Sequence, residues 1–274
     1  MTGSASARVR VRLDELLVER GLADSRTRAQ ALLLAGQIRV GAGHGARADR
    51  KAGDLVDSGV PIALAAAAPY ASRGGLKLAA ALDAFDLRPA GLTCLDVGAS
   101  TGGFTDVLLE RGAARVYALD VGRGQLVDRL RRDSRVVSLE RTNARTLRAG
   151  SLPEAVELVT IDVSFISLRL IIGPVASAFG SSGGRVIALV KPQFEAPRRA
   201  VQGGVVRDAA VHRAALQTVV EAARAAGFRA LDACPSPLLG PAGNRELFVH
   251  LALGRDAAEP PDIDTRLDAA AEPA

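Results

Sequence analysis

Two of the three lysines in this chain occupy positions suited to proton transfer, and the chain otherwise uses arginine, of which it has 32. Lys191 follows the apolar run at residues 185–190, and Lys77 lies in a predicted helix. A desolvated lysine can lose its proton whereas an arginine cannot, so these lysines indicate acid–base chemistry. Two carboxylates lie at predicted strand edges, Asp162 after one strand and Glu246 before another. Each residue alone is typical of an ordinary ion pair, but the four together indicate a site.

A turn poor in side chains follows the apolar strand at residues 93–97. It reads Asp-Val-Gly-x-x-x-Gly-Gly, a helix follows, and the next strand ends in Asp120. This order of elements, a strand, a glycine turn, a helix and a second strand ending in an acid, is typical of half-domains that hold an adenosine-containing cofactor. Because Ser100 replaces the second glycine of G-x-G-x-x-G, the turn resembles S-adenosylmethionine methyltransferases more than dinucleotide enzymes. An α/β domain with another nucleoside ligand remains an alternative on this segment alone.

The larger part of the chain, residues 72–252, alternates strands and helices. This alternation predicts an α/β, Rossmann-like fold with a mostly parallel, doubly wound sheet. We predict an Ala-rich linker at 65–71 and a disordered tail at 253–274, which is rich in Ala, Pro and Asp. The predicted strands are 93–97, 115–119, 135–139, 157–161, 185–190, 228–233 and 246–252, and the helices are 74–86, 104–111, 123–132, 167–179 and 208–226.

Residues 8–64 are predicted to form a small separate α+β module. Helical spacing at 11–20 and 25–35 precedes a short strand at 38–40 and a strand pair around 54–56 and 61–64. The module resembles the S-four RNA-binding domain in the segments 12–17, 25–29 and 36–40, and that domain presents basic side chains to structured RNA. An amphipathic helix pair with a solvated basic face is the alternative. The predicted RNA-binding residues are Arg10, Arg12, Arg26, Arg28 and Arg39.

Composition narrows the class of protein. The net charge of +5 and the sequence pI near 9.8 favour a polyanionic partner. The three histidines are isolated and the two cysteines have no metal-binding spacing, so we predict no metal site. Neither a signal peptide nor a run of about 18 apolar residues is evident, which predicts a cytoplasmic protein.

The set of Lys77, Asp162, Lys191 and Glu246 resembles the catalytic tetrad of the FtsJ-like RNA ribose methyltransferases. Over residues 8–252 the chain is similar to the TlyA family, often labelled hemolysin-like, which joins an S-four domain to an FtsJ-like domain. The segments that carry the resemblance are 72–78, 95–105, 120–126, 140–145, 162–168, 189–195 and 236–244.

The resemblance implies methyl transfer from S-adenosylmethionine to a ribose 2′-hydroxyl of ribosomal RNA, with rRNA or ribosomal subunits as partners. Lys191 is our candidate general base, and burial together with the like charge of Lys77 is expected to favour its neutral form. Lys77 would orient the ribose, while Asp162 and Glu246 would hold the lysines. The implied cofactor residues are Asp96, Gly98, Ser100, Gly102, Gly103, Phe104, Asp120 and Asn143, the last at the adenine edge.

Three other functions are compatible with parts of the sequence. The chain could be a ribosome-associated RNA-binding factor with an inactive methyltransferase domain, although the intact tetrad and turn argue against this. A membrane-active hemolysin would need a spanning segment or a signal that the sequence does not show. A small-molecule methyltransferase would leave the basic N-terminal module unexplained.

Overall fold

The chain divides into two compact units between Arg73 and Gly74. The computed structural model describes residues 10–34, 36–43, 46–48, 50–64, 69–254 and 258–272. The predicted module at 8–64 falls within the first unit. Part of the predicted linker, residues 65–68, lies outside the described residues, as do residues 8 and 9.

The N-terminal unit packs two helices on two short antiparallel strand pairs. Both predicted helices are present, but α1 begins at Leu13 because residues 10–12 pair as a strand with β3. The predicted pairing between the last two strands is wrong, since β3 pairs with β1 and β4 pairs with β2. The elements are β1 (Arg10–Arg12), α1 (Leu13–Glu19), α2 (Arg26–Leu34), β2 (Ile38–Val40), β3 (Leu55–Asp57) and β4 (Ile62–Leu64).

The second unit is built on a seven-stranded sheet with the order β10-β11-β9-β8-β5-β6-β7. Its strands are β5 (Thr93–Val97), β6 (Arg115–Leu119), β7 (Val136–Leu139), β8 (Leu158–Ile161), β9 (Gly184–Val190), β10 (Arg229–Pro235) and β11 (Leu247–Leu253). Its helices are α3 (Arg73–Ala84), α4 (Gly103–Glu110), α5 (Asp128–Arg131), α6 (Ile172–Ala176), α7 (Pro192–Glu195), α8 (Ala209–Ala225) and α9 (Ile263–Ala271).

The predicted α/β fold is confirmed, with each predicted strand present to within a few residues. Strands β5 to β9 pair in parallel, and β11 runs antiparallel between β9 and β10. The strand order reverses between β5 and β8, and open α/β sheets bind ligands at the carboxyl ends of the strands beside such a reversal. This edge is called the carboxyl edge below.

Two predicted helices are shorter than expected. Helix 123–132 forms only as α5, and helix 167–179 splits into a 3₁₀ turn at Leu168–Leu170 and α6. Pro174 explains the split, because it has no N–H to bond with the carbonyl four residues earlier and its ring clashes with that carbonyl.

The predicted disordered tail is wrong for residues 263–271, which form α9. Ile263, Leu267, Ala270 and Ala271 are buried, at the spacing of one helix face. Arg213 of α8 pairs with Asp264 at 3.1 Å and with Asp268 at 2.5 Å. The helix therefore covers the sheet beside β10, and the Ala, Pro and Asp content of the tail concealed a short apolar stripe.

Leu267→Ala should lower the free energy of unfolding by about 2–5 kcal/mol, because it leaves a cavity under α9. Thr265→Ala, at an exposed position of the same helix, should change it by less than about 0.5 kcal/mol. Urea unfolding monitored by circular dichroism measures both. Equal stability of the two variants would show that α9 does not pack on the sheet in solution.

Candidate active site

The turn after β5 can follow its path only because two residues lack a side chain. Gly98 has φ +87°, and a Cβ there would lie 2.3 Å from the backbone oxygen of Asp162. Gly102 has φ +96°, and a Cβ there would lie 2.3 Å from Leu130 and 2.7 Å from Leu126. Both contacts are closer than a carbon atom allows, so these glycines bring the ends of β5 and β8 together and seat α4.

Asp120 joins this turn to the loop after β6. Its carboxylate accepts the backbone N–H of Ser100 at 2.8 Å and that of Gly122 at 2.7 Å. Ser100 has φ +48°, a left-handed conformation that a non-glycine residue seldom adopts. Asp120 thus lies where the sequence predicted it, at the carboxyl edge beside the glycine turn, and its oxygens keep further lone pairs for a ligand hydroxyl.

The side chains of two of the predicted cofactor residues are buried. Asp96 is fully buried, and its two oxygens accept the hydroxyls of Thr105 at 2.7 Å and Thr160 at 3.1 Å. Phe104 is also buried and packs against Phe248 with ring centroids 6.3 Å apart. Both side chains lie beneath the turn and support it, and a contact of either residue with the cofactor stays a prediction.

The remaining predicted cofactor residues lie at the carboxyl edge. Gly103 is the first residue of α4, so the helix begins directly at the turn. Asn143 is exposed and accepts the backbone N–H of Arg145 at 3.0 Å, as the cap of a 3₁₀ turn. A role for Asn143 at an adenine remains a prediction.

The four tetrad residues form two ion pairs. Lys77 Nζ of α3 donates to Glu246 Oε2 at 2.5 Å, and both side chains are buried. Lys191 Nζ lies 2.6 Å from Asp162 Oδ1 and donates to Ser164 Oγ at 2.9 Å. The register of β9 with β11 places Glu246 next to Lys191 at the sheet edge, since Leu247 pairs with Val190.

This pairing corrects one part of the predicted electrostatics. We expected Lys77 to act on Lys191 as a like charge, but Glu246 compensates the charge of Lys77 within hydrogen-bonding distance. Asp162 Oδ1 is buried and, despite its closeness to Lys191, accepts no well-directed hydrogen bond from any described residue. The contact between Asp162 and Lys191 is therefore held by charge rather than by a well-directed hydrogen bond.

Residues that sequence reasoning missed hold the loops around the tetrad. Gly240 packs so closely on Glu246 that a Cβ would lie 2.4 Å from Oε1. Glu195 accepts the Ser167 hydroxyl at 2.6 Å and the Leu168 N–H at 2.7 Å, and burial raises its pKa. Neither residue has a sequence pattern that reveals its partner: the Glu195 contact joins loops far apart in sequence, and the Gly240 contact depends on how the loop before β11 folds back.

An aromatic pair, one ring exposed and one half-buried, comes three residues after Asp162 and three residues after Lys191 in the chain. Phe165 is 91% exposed, has φ +65°, and lies 5.3 Å from Phe194 between ring centroids. Large apolar side chains are seldom left in water in a strained backbone without a reason. The loop after β8 thus presents a ring face next to the ion pairs.

The five predicted RNA-binding arginines of the N-terminal unit fall into two groups. Arg12 and Arg26 pair with the completely covered Asp14 at 2.9 and 3.2 Å, and the hydrogen bond from Arg12 holds the pKa of Asp14 well below its usual range. Arg10 donates to the Leu55 carbonyl at 2.9 Å. Arg28 and Arg39 are exposed and pair with no acid among the described residues. The first group stabilises the unit, and the second is free for a ligand.

Comparisons with known proteins agree with this geometry. The profile of the family described as FtsJ-like methyltransferase matches residues 70–253. The chain is 44% identical over 251 residues to "16S/23S rRNA (cytidine-2′-O)-methyltransferase TlyA" of Mycobacterium tuberculosis, with 91% of this chain and 92% of that protein covered.

Other relatives carry a different name. "Hemolysin A" of Brachyspira hyodysenteriae is 38% identical over 245 residues, with 89% of this chain and 100% of that protein covered. The solved structure of a candidate hemolysin from Streptococcus thermophilus superposes with a TM-score of 0.72 at 41% identity and covers 96% of each chain. Among the helices of the described residues, none has the length and apolarity needed to span a membrane.

The buried Asp96 should make stability depend on pH, because burial raises its pKa to about 7. In the unfolded chain this carboxyl ionises near pH 4, so its contribution to stability is complete below pH 4 and is lost as the pH rises to 7. Asp96→Asn removes this loss. Its free energy of unfolding relative to wild type should rise between pH 4 and pH 7, on the order of 1.4 kcal/mol for each unit by which the pKa is raised.

Denaturant unfolding at four or five pH values measures the difference. Asp83→Asn is the control, at an exposed carboxylate whose pKa is lowered by the hydrogen bond from Arg111. A lowered pKa affects stability only below the unfolded pKa near 4, so the stability of this variant relative to wild type should stay nearly constant from pH 5 to pH 7. A difference between Asp96→Asn and wild type that is constant with pH would refute the assignment of Asp96 as a buried, protonated support.

Proposed function

Because this chain belongs to the FtsJ-like methyltransferase family and, within it, to the TlyA family, we propose that it methylates a ribose 2′-hydroxyl of ribosomal RNA. The observation that carries this proposal is the pair of lysine–carboxylate contacts at the carboxyl edge, directly beside the glycine turn. The name of the relative from Mycobacterium tuberculosis specifies cytidine, which supports a cytidine ribose as the target. An rRNA substrate implies that the protein acts in the cytoplasm.

The turn after β5 fits S-adenosylmethionine, the cofactor of this family. Gly98 and Gly102 let the turn pack tightly at the ends of β5 and β8, and Asp120 offers carboxylate oxygens to ribose hydroxyls. Ser100 adds a hydroxyl in a left-handed turn. When bound, S-adenosylmethionine supplies a methyl group on a sulfonium that is already activated for transfer.

Lys191 is the residue we assign to remove the proton from the attacking hydroxyl. A ribose hydroxyl is a weak nucleophile and must lose its proton as it attacks. Lys191 Nζ can accept that proton only as a free amine, so its own proton must first pass to another group. That proton passes to solvent before the hydroxyl attacks, and Asp162 Oδ1, 2.6 Å away, holds Nζ in place.

The other members of the site position the substrate. Lys77 is held by Glu246 and is buried, which suits a fixed donor to a ribose oxygen. Ser164 accepts from Lys191 and fixes the direction of its ammonium group. Phe165, exposed beside these residues, offers a face on which the base of the target nucleotide can stack.

The N-terminal unit is proposed to be an S-four-like RNA-binding domain. Its exposed arginines, Arg28 and Arg39, are available to phosphates, whereas Arg12 and Arg26 are engaged with Asp14. Binding energy from this unit would hold ribosomal RNA on the enzyme without taking part in the chemistry.

Lys191→Arg tests the general base, because arginine keeps the charge but has no accessible neutral form. Methyl transfer measured in a single turnover with saturating cofactor should fall by about 100-fold or more. The affinities for S-adenosylmethionine and rRNA should change little, because only the transition state loses its proton acceptor.

The third lysine supplies a matched control. Lys51 is exposed in the N-terminal unit, and Lys51→Arg should leave the rate unchanged. Transfer by Lys191→Arg within a few-fold of wild type would show that Lys191 positions the substrate electrostatically. Absence of transfer by the wild-type protein to any rRNA, with 2′-O-methylation mapped by sequencing, would overturn the proposed function itself.

Replacing both Arg28 and Arg39 by glutamine should weaken rRNA binding and flatten its dependence on salt, with the slope reduced by about one for each phosphate that the variant no longer neutralises. The melting temperature should not change, because neither side chain pairs with an acid among the described residues. Fluorescence anisotropy at several salt concentrations measures the slope. If the slope stays at the wild-type value, these arginines form only a solvated face.

A further inference from the structure

A cleft of about 320 Å³ opens at the carboxyl edge, on the side away from the cofactor turn. One wall is formed by residues 205–209, which lead into α8, and the other by residues 239–245, which lead into β11. The cofactor turn follows β5, Asp162 follows β8 and the reactive lysine follows β9. The cleft is lined by residues that lead into α8 and into β11, the strand next to β9 in the sheet. The reactive groups therefore stand between the cofactor turn and the cleft.

The two walls of the cleft are fastened to each other by Asn244. This side chain is buried, accepts the N–H of Val206 at 2.9 Å and donates to the carbonyl of Gly204 at 2.8 Å. The ring of His212 forms a further part of the lining and is bonded to the Val206 carbonyl at 3.1 Å. The cleft is consequently preformed and needs no closure to present its groups.

The lining of the cleft combines positive charge with apolar surface. Its charged side chains are Arg207 and Arg245, and no Asp or Glu of the described residues contributes to it. Arg207 is exposed and has no ion-pair partner in the described part of the chain, while Arg245 donates to the Ala270 carbonyl at 3.2 Å. Leu239, 60% exposed, adds an apolar surface. Such a lining suits a ligand with an anionic group next to a flat, weakly polar body.

The position of the cleft relative to the tetrad narrows the class of ligand that it could bind. Arg245 immediately precedes Glu246 in the chain, but their side chains diverge: Glu246 reaches Lys77 of α3, whereas Arg245 reaches Ala270 of α9. The cleft is thus separate from the catalytic pocket yet adjacent to it. For a polymer whose ribose lies at Lys191, this cleft is a neighbouring surface at the same edge of the sheet.

We propose that the cleft binds a nucleotide neighbouring the methylated one in the RNA, with its phosphate on Arg207 and Arg245 and its base against Leu239. This inference rests on the proposed function, because it requires an RNA chain at the tetrad. Arginine guanidinium groups bind phosphate through paired hydrogen bonds, and the phosphate positions the chain without reading its sequence.

The test compares three variants of the full-length protein with wild type in methyl transfer to rRNA, with KM and kcat measured at several salt concentrations. Arg207→Gln should raise KM for rRNA about three- to tenfold, with kcat unchanged. The slope of log KM against log salt concentration, called the salt slope here, should fall by about one. Leu239→Ala should raise KM without altering the salt slope, because it removes an apolar contact rather than a charge. Arg132→Gln is the matched control.

Arg132 follows α5, which precedes β7 at the end of the sheet far from the cleft. It is exposed and pairs with no acid among the described residues. Its replacement should therefore leave KM and the salt dependence of KM at wild-type values. Wild-type KM and slope in both cleft variants, with methyl transfer intact, would overturn the subsite and leave the proposed function standing. A shift as large in Arg132→Gln would overturn it too, since it would reflect net charge alone. An inactive wild-type protein would overturn the proposed function and the subsite together.

Discussion

The approach of Gly98 to the carbonyl of Asp162 is the contact on which the site depends. A Cβ at position 98 would lie 2.3 Å from that oxygen, so any side chain would force the ends of β5 and β8 apart. With glycine there, the cofactor turn and the Asp162–Lys191 pair meet at adjacent strand ends. Methyl transfer requires that the methyl donor and the acceptor be held in contact. The close approach at Gly98 places the cofactor turn and the Asp162–Lys191 pair near enough for this.

Charge compensation holds the rest of the site around that contact. A buried charge without a partner costs several kcal/mol, so each lysine is useful here only with its carboxylate. Lys77 and Glu246 come from α3 and from the start of β11, which lie far apart in sequence. Because β11 runs antiparallel to its neighbours, its first residues lie at the edge where the parallel strands end. The antiparallel strand is thus what brings a fourth catalytic candidate to the site.

The net charge does not show which arginines are paired with acids and which remain available to a polyanion. Arg12 compensates Asp14, and Arg213 fastens α9 through Asp264 and Asp268, so these charges are neutralised within the protein. Arg28 and Arg207 have no such partner among the described residues, and they lie on the surfaces assigned to RNA. Composition counts both groups alike, so only the contacts tell which arginines remain for a polyanion.

Local patterns predicted the α/β class, the strands to within a few residues, the glycine turn and Asp120, because apolar runs and turn chemistry are local properties. The resemblance to FtsJ-like enzymes supplied the four tetrad residues. The sequence did not determine how the tetrad pairs, that Asp96 and Phe104 lie beneath the turn, that residues 263–271 form a helix on the sheet, or that Asn244 closes a cleft. Each of these depends on which distant side chains meet. Burial and partnership arise only when strands and loops far apart in sequence are packed together, and the tertiary structure alone decides them.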